Sequence, residues 1–248
     1  MFKNCFKQND ELKKQIDVFR PLSTDALKQI KEYYKIGLTY SSNALEGNTL
    51  DLAETKVVIE DGLTIGGKPM KDHLEALGHA VAFDELMNLA KKDLFTEQDV
   101  KNLHYLFYSK INEQNAGKYR TSQVIITGSD VEFPTPDKLA GKMQEFIAQL
   151  PELKSSLHPV EYAAMVHIIF VNIHPFIDGN GRVARLLMNL ALLQSGYNIV
   201  SIPPVVRADY IRTLQKTNNG IFLPFVNFIS EMTLEAQKEY LRIIKRFV

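Results

Sequence analysis

"HPFIDGNGR", residues 174–182, separates the two most apolar stretches of the chain. Upstream, PVEYAAMVHIIFVNI carries Ala163, Ala164, Val166, Ile168, Ile169, Phe170 and Val171, which cover nearly every face of a helix. Downstream, VARLLMNLALL repeats the pattern with Val183, Leu186, Leu187, Met188, Leu190 and Leu193, and Gly196 stops it. A helix that is apolar all round is buried. The pattern therefore predicts two core helices, at about residues 160–173 and 181–195, with Pro159 as a first-turn residue of the first. They are joined by a loop dense in ionisable groups and glycine.

That loop has the parts of an anion site. Pro175 lacks an N–H and favours ending the first helix near His174. Gly179 and Gly181 permit positive φ, so successive backbone N–H groups can converge on one point. The following helix offers free N–H groups and the positive end of its dipole, and phosphate is the natural occupant. Arg182 and Arg185, three apart in the first turn, share a face. Asp178 is placed to hold Mg²⁺, which takes carboxylate and phosphate oxygens. His174 could take a proton from an attacking hydroxyl. The plain alternative is a polar interhelix loop with a satisfied histidine. Five functional residue types in one short loop rooted in rigid core favour chemistry.

The string His174-Pro-Phe-Ile-Asp178-Gly-Asn180-Gly-Arg182-Val-Ala-Arg185 resembles the complete signature of the Fic family, His-x-Phe-x-(Asp/Glu)-Gly-Asn-Gly-Arg-x-x-Arg. The preceding GKYR at 117–120 is similar to the family as well. The resemblance covers roughly residues 25–235. It implies an all-α fold, a helical bundle with a short β-hairpin flap, and the transfer of AMP from ATP to a Ser, Thr or Tyr hydroxyl of a target protein. On that implication His174 is the general base and Asp178 holds Mg²⁺. Gly179, Asn180 and Gly181 cradle phosphate oxygens, Arg182 holds the β-phosphate side and Arg185 binds the γ-phosphate, while Phe176 anchors the loop. The run SQVIITGSDVEFPTP reads as a β-hairpin around residues 128–130. The resemblance makes it the flap (122–134), with Val124, Ile125, Ile126 and Thr127 taking the target's main chain as an added strand. Tyr210, Leu214 and Asn218 in ADYIRTLQKTNNG are candidates for the adenine pocket, although Tyr210 and Leu214 also suit a core face and Asn218 a helix cap. Relatives with a Lys in the loop transfer phosphate, and others phosphocholine; the intact Asn180-Gly181-Arg182 with Arg185 favours AMP. The alternatives are an enzyme that chiefly removes AMP, and a binding module without turnover.

A second string bears on the first. In SSNALEGNT, residues 41–49, Glu46 sits one residue before the stop at Gly47, where a helix dipole disfavours negative charge. Alone it reads as a solvated Glu at a frayed end. Ser42-Asn-Ala-Leu-Glu46-Gly47 is similar to the family's inhibitory pattern (Ser/Thr)-x-x-x-Glu-(Gly/Asn), and its place ahead of the catalytic loop implies an N-terminal inhibitory helix, about 25–47. Glu46 would then pair with Arg185 and deny it to the γ-phosphate, with Ser42 one turn earlier on the same face.

The rest of the chain is consistent with a helical enzyme. Of its 248 residues 45% are hydrophobic and 23% charged, ordinary for a globular protein. Lys plus Arg and Asp plus Glu both number 29, which leaves no global footprint for nucleic acid. The single Cys5 suits a reducing compartment. MFKNCFKQNDELKK has no secretory h-region, and no run is long enough to span a membrane, so a cytoplasmic protein is expected. Further helices are expected at about 25–46 (capped by Ser23 or Thr24), 51–62, 71–91, 96–112 (Thr96 and Asp99 as capping box), and one ending near Leu150. The expected organisation is an N-terminal helical region, 1–70, a catalytic domain, 71–235, and a helix end, 236–248. A homodimer is a family habit. No histidine pair has helix-borne zinc spacing, and His73, His79, His104 and His158 read as structural or surface residues.

Overall fold

The computed structural model describes residues 2–125 and 132–247. Helix α7 (Pro159–Ile173) begins with Pro159 in its first turn, and His158 Nδ1 accepts the Val160 N–H at 3.2 Å. Helix α8 (Asn180–Gln194) lies against it. Ala163, Ala164, Val166, Val183, Leu187 and Leu190 are all fully buried. Each buried Leu or Val contributes about 1.5–3 kcal/mol, so this pair is the apolar centre the sequence predicts.

Around it stand α4 (Met70–Leu89), α5 (Glu97–Tyr108), α6 (Leu139–Ser156), α9 (Arg207–Thr217) and α10 (Leu223–Ile244). Helix α1 (Phe6–Asp17) packs on α10 through a buried polar joint. Asn9 Nδ2 donates to the Ser230 carbonyl at 3.0 Å, and Gln237 Nε2 donates to Asn9 Oδ1 at 2.9 Å. Helix α2 (Thr24–Ala44) is capped by Ser23, whose Oγ accepts the Ala26 N–H. It runs antiparallel to α4. Lys31 and Lys35 pair with Asp84 at one end, Thr39 Oγ1 meets His79 Nδ1 at 3.0 Å midway, and Asn48 Nδ2 bonds Glu75 Oε2 at 2.9 Å beyond the other end. Helix α3 (Leu52–Lys56), opened by an Asp51–Glu54 capping box, continues into a π-turn (Val57–Asp61) that ends at left-handed Gly62.

Three expectations shift. Helix α2 stops at Ala44, so Glu46 belongs to the following turn, where its N–H bonds the Asn43 carbonyl at 3.0 Å and Gly47 takes φ 94°. Helix α6 continues past Leu150 and through Pro151 to Ser156. Proline removes one helical hydrogen bond, but buried Leu150 and partly buried Leu153 keep the far turn on the core. The boundary expected at 235–236 falls inside α10, and one apolar core reaches from Ile16 on α1 to Ile244 on α10. The described elements are all helical, with no strand among the described residues. Of the expected flap, Val124 and Ile125 carry no strand, and Ile126 and Thr127 lie outside the described residues. Among the described residues no helix is long and apolar enough to cross a membrane.

The core also encloses three histidines. Burial pushes the pKa of His79 and His167 down to about 3 and that of His104 down to about 4. The unfolded chain binds protons at these sites below about pH 6.5 and the folded chain does not. Stability is therefore whole above that pH and falls as pH is lowered, by about 1 kcal/mol per unit for each histidine. Urea midpoints at pH 7.5 and 5.5 check this, and the lower midpoint is expected at pH 5.5.

Candidate active site

His174 ends α7 in the left-handed region, φ 50° and ψ 57°, with its N–H on the Phe170 carbonyl at 3.1 Å. A non-glycine residue held there is a local strain that the surroundings must enforce. Arg120 enforces it. Its Nε donates to the His174 carbonyl at 2.9 Å, and its own backbone N–H donates to the Pro175 carbonyl at 2.9 Å. The other end of the same guanidinium donates to the carbonyls of Ser122 and Pro134. Gln123 Nε2 donates to the Phe133 carbonyl at 3.0 Å. The two ends of the 122–134 stretch thus lie side by side, and the Phe133 ring packs 4.3 Å from the His174 ring.

The loop is clamped from inside as well. Phe176 is fully buried and stacks on His104 of α5, ring centres 3.7 Å apart and planes within 2°. His104 Nδ1 accepts the Gly117 N–H at 2.8 Å, so its proton sits on Nε2, which donates to the Asp178 carbonyl at 3.1 Å. The Asn180 side chain closes a reciprocal pair with Phe176, Oδ1 taking its N–H at 2.9 Å and Nδ2 reaching its carbonyl at 2.8 Å. Asn180 therefore fastens the loop with its side chain and can offer an anion its backbone N–H. Gly179, at φ 82°, is the N-cap of α8 and lies against the Phe107 ring, where a Cβ would be 3.0 Å from Cε1.

Two arginines leave the first two turns of α8 in different directions. Arg182, 4% exposed, bridges Glu75 Oε1 and Asp178 Oδ1, both at 2.8 Å, and lies 4.7 Å from the centre of the Phe107 ring. Asp178 also accepts the Gly179 N–H, and its Oδ2 stands 3.6 Å from Lys71 Nζ. Burial alone would raise the Asp178 pKa, but Arg182, the Gly179 N–H and Lys71 hold it below the ordinary carboxylate value.

Arg185, 1% exposed, donates to Ser42 Oγ (2.9 Å), the Ser42 carbonyl (2.7 Å), Glu46 Oε1 (2.8 Å) and Tyr210 Oη (3.1 Å). Burial opposes ionisation of Glu46, yet Arg185 and then Arg182 outweigh it and keep the carboxylate charged. The carboxylate lies so close to Gly181 that a Cβ there would collide with Oε1. It thus occupies the N-terminal end of α8, where the backbone N–H groups are free and the dipole favours an anion.

Most of the sequence-derived candidates converge here: Ser42, Glu46, His174, Asp178, Gly179, Asn180, Gly181, Arg182 and Arg185. Tyr210 joins them, but as a buried partner of Arg185 with its ring packed on Phe225 and Phe228. Asn218 stands apart, exposed at the C-terminal end of α9 and roughly 12 Å along the helix axis from Tyr210. Val124 lies in the stretch after Arg120, and Ile125 is 87% exposed. Sequence reasoning missed Glu75 and the loop-fastening roles of Arg120 and His104. Arg120 carries a signal, since it ends the GKYR string at 117–120. Glu75 and His104 had none, because they come from helices distant in sequence.

The site can be set beside known proteins. Residues 94–192 match the Fic/DOC family model. The protein adenylyltransferase Fic of Drosophila willistoni is 38% identical over 221 residues, 88% of this chain and 44% of that protein. That of Drosophila persimilis is 39% identical over 88% of this chain and 43% of its own length. The chain thus spans less than half the length of these curated relatives. A Fic domain containing signaling protein of Bacteroides thetaiotaomicron superposes with a TM-score of 0.87 at 27% identity, covering 98% of this chain and 97% of that one. Fic-1 of C. elegans superposes at 0.86 with 31% identity, over 97% of this chain and 72% of that one. With sequence kinship over nearly its whole length, and its signature loop built into the same fold, this chain belongs to the Fic/DOC family.

Proposed function

We propose that this protein transfers AMP from ATP to a Ser, Thr or Tyr hydroxyl of a target protein, and that Glu46 holds it in a resting state. The observation that carries the reading is the Glu46 carboxylate, seated against Gly181 and 2.8 Å from Arg185 Nη2, in a place built for an anion. The name protein adenylyltransferase borne by the Drosophila relatives supports the reaction.

His174 acts as the general base. Burial, with help from Arg120, pushes its pKa down to about 4, so the ring is neutral at physiological pH. Nδ1 faces the Val171 carbonyl at 3.3 Å, which places the proton on Nδ1 and leaves the Nε2 lone pair for the target hydroxyl. That oxygen attacks the α-phosphorus and its proton passes to Nε2. The bond from the α-phosphorus to the bridging oxygen breaks, and pyrophosphate leaves. Backbone N–H groups at the start of α8 and the guanidiniums of Arg182 and Arg185 stabilise the negative charge on the phosphates. Positioning, rather than covalent chemistry, does most of the catalysis.

Asp178 fits a Mg²⁺ ion that is shared with the nucleotide. Its Oδ2 is bonded only loosely, to Lys71, and no cluster of three ligating side chains exists among the described residues. A cation held by one carboxylate, waters and phosphate oxygens suits Mg²⁺. When bound, it would neutralise charge on the pyrophosphate side. The flap ends gathered by Arg120 beside His174 suit a target main chain laid along them.

Incubation with α-labelled ATP and Mg²⁺ tests the reading. Glu46→Gly is expected to raise labelling of itself and of lysate proteins by about tenfold or more, and His174→Ala in that background to abolish it. Equal labelling by wild type and Glu46→Gly would sink the resting-state assignment; equal labelling with and without His174 would sink the mechanism. The pH profile is a separate check. Because the base charges only near pH 4, kcat/KM of Glu46→Gly should stay nearly flat from pH 7.5 to 5.5, whereas an ordinary histidine would lose about 90% of it.

A further inference from the structure

Tyr210 and His167 form a buried pair that the proposed mechanism does not use. His167, on α7, is fully buried and its Nε2 lies 2.9 Å from Tyr210 Oη. Arg185 Nη1 lies 3.1 Å from the same oxygen. A guanidinium can only donate, so Tyr210 Oη accepts from Arg185. The phenol's own proton then has one destination among the described residues, His167 Nε2. That requires a neutral His167 with its proton on Nδ1, an atom that has no hydrogen-bond partner among the described residues. Burial and the nearby Arg185 keep the ring uncharged. The fold thus retains a buried, unpaired N–H where an apolar side chain would pack at no such cost.

We propose that His167 and Tyr210 are positioning residues for Arg185: His167 takes the Tyr210 proton, turns the phenol's lone pairs onto Nη1, and so fixes the plane of the guanidinium that receives the terminal phosphate. The proposal rests on Arg185 as the γ-phosphate ligand. The other three hydrogen bonds of Arg185 all go to Ser42 and Glu46, on α2 and the turn behind it. The Tyr210 bond is the one from outside that segment, and it persists when Glu46 leaves.

Nucleotide binding without turnover separates the two ideas. In Glu46→Gly/His174→Ala, calorimetry gives the affinities for ATP and ADP, which differ by the γ-phosphate alone. The parent should prefer ATP, and Arg185→Ala should erase the preference. Tyr210→Phe is expected to cut the ATP-over-ADP ratio about fivefold, with ADP affinity unchanged as the sign of an intact pocket. His167→Phe should match it, the double variant should lose no more than either, and His167→Gln, whose amide oxygen can accept, should restore the ratio. An unchanged ratio in Tyr210→Phe, or additive losses in the double variant, overturns the relay while leaving Arg185 in place. A parent without ATP preference, or one that keeps it after Arg185→Ala, overturns the Arg185 assignment and the relay with it.

Discussion

A guanidinium that cannot shed its charge lies at the centre of this structure, at 1% exposure. Burying a charge is tolerable only when it is paired and hydrogen-bonded. Arg185 meets the demand with four bonds drawn from the α2 segment and α9. The need to satisfy one buried cation therefore ties these segments to α8. It also sets a rule of exclusion. Two anions 4 Å apart repel by ~4 kcal/mol at an effective dielectric of 20, so Glu46 and a terminal phosphate cannot comfortably share Arg185. On the proposed reading, competition for the arginine follows from electrostatics and needs no rearrangement of the core.

The 174–182 loop is prepared differently. Its anchors do not involve Glu46: Phe176 stacks on His104, Asn180 bonds Phe176, Arg120 holds the His174 carbonyl, and Arg182 bridges Glu75 and Asp178. These bonds come from α4, α5, α8 and the stretch before residue 122. The loop is thus organised with Glu46 in place and stays organised if Glu46 departs. On the proposed reading, such preorganisation costs nothing further at the moment of reaction.

The helices were largely legible in the sequence because local rules place their ends. Ser23, Asp51 and Thr96 act as caps as their positions suggest, and the apolar runs of α7 and α8 could only be core. The place of the signature loop was legible from its proline and glycines, with α7 ending before His174 and α8 opening at Asn180. Partnerships between distant helices were not. Glu75, His104 and His167 gain their roles from neighbours 107, 74 and 43 residues away, and no periodicity encodes that. Tyr210 shows the limit within one helix. Helical spacing left open whether it faced a nucleotide base or the core, and the core place it takes is beside the buried Arg185.

The way α2 is seated indicates which part of it yields first. Its N-terminal half presents Ala26, Ile30 and Tyr34 to the apolar core, while its second half buries Leu38 together with the polar Thr39, Ser41, Ser42 and Asn43. Apolar burial holds the first half, at about 1.5–3 kcal/mol per large side chain. The second half adds the apolar burial of Leu38, with Leu45 just beyond it, to hydrogen bonds that are worth only about 0.5–1.5 kcal/mol net each. Asn43, 2% exposed, finds no partner for either side-chain polar atom among the described residues, so its burial subtracts from the docking energy. Local opening starts where docking is weakest. Leu45, 3% exposed, and the Arg207 Nε bond to its carbonyl at 2.7 Å keep the following turn on the core, so it is the exposed Glu46 side chain that can swing off Arg185 while α2 stays on α4.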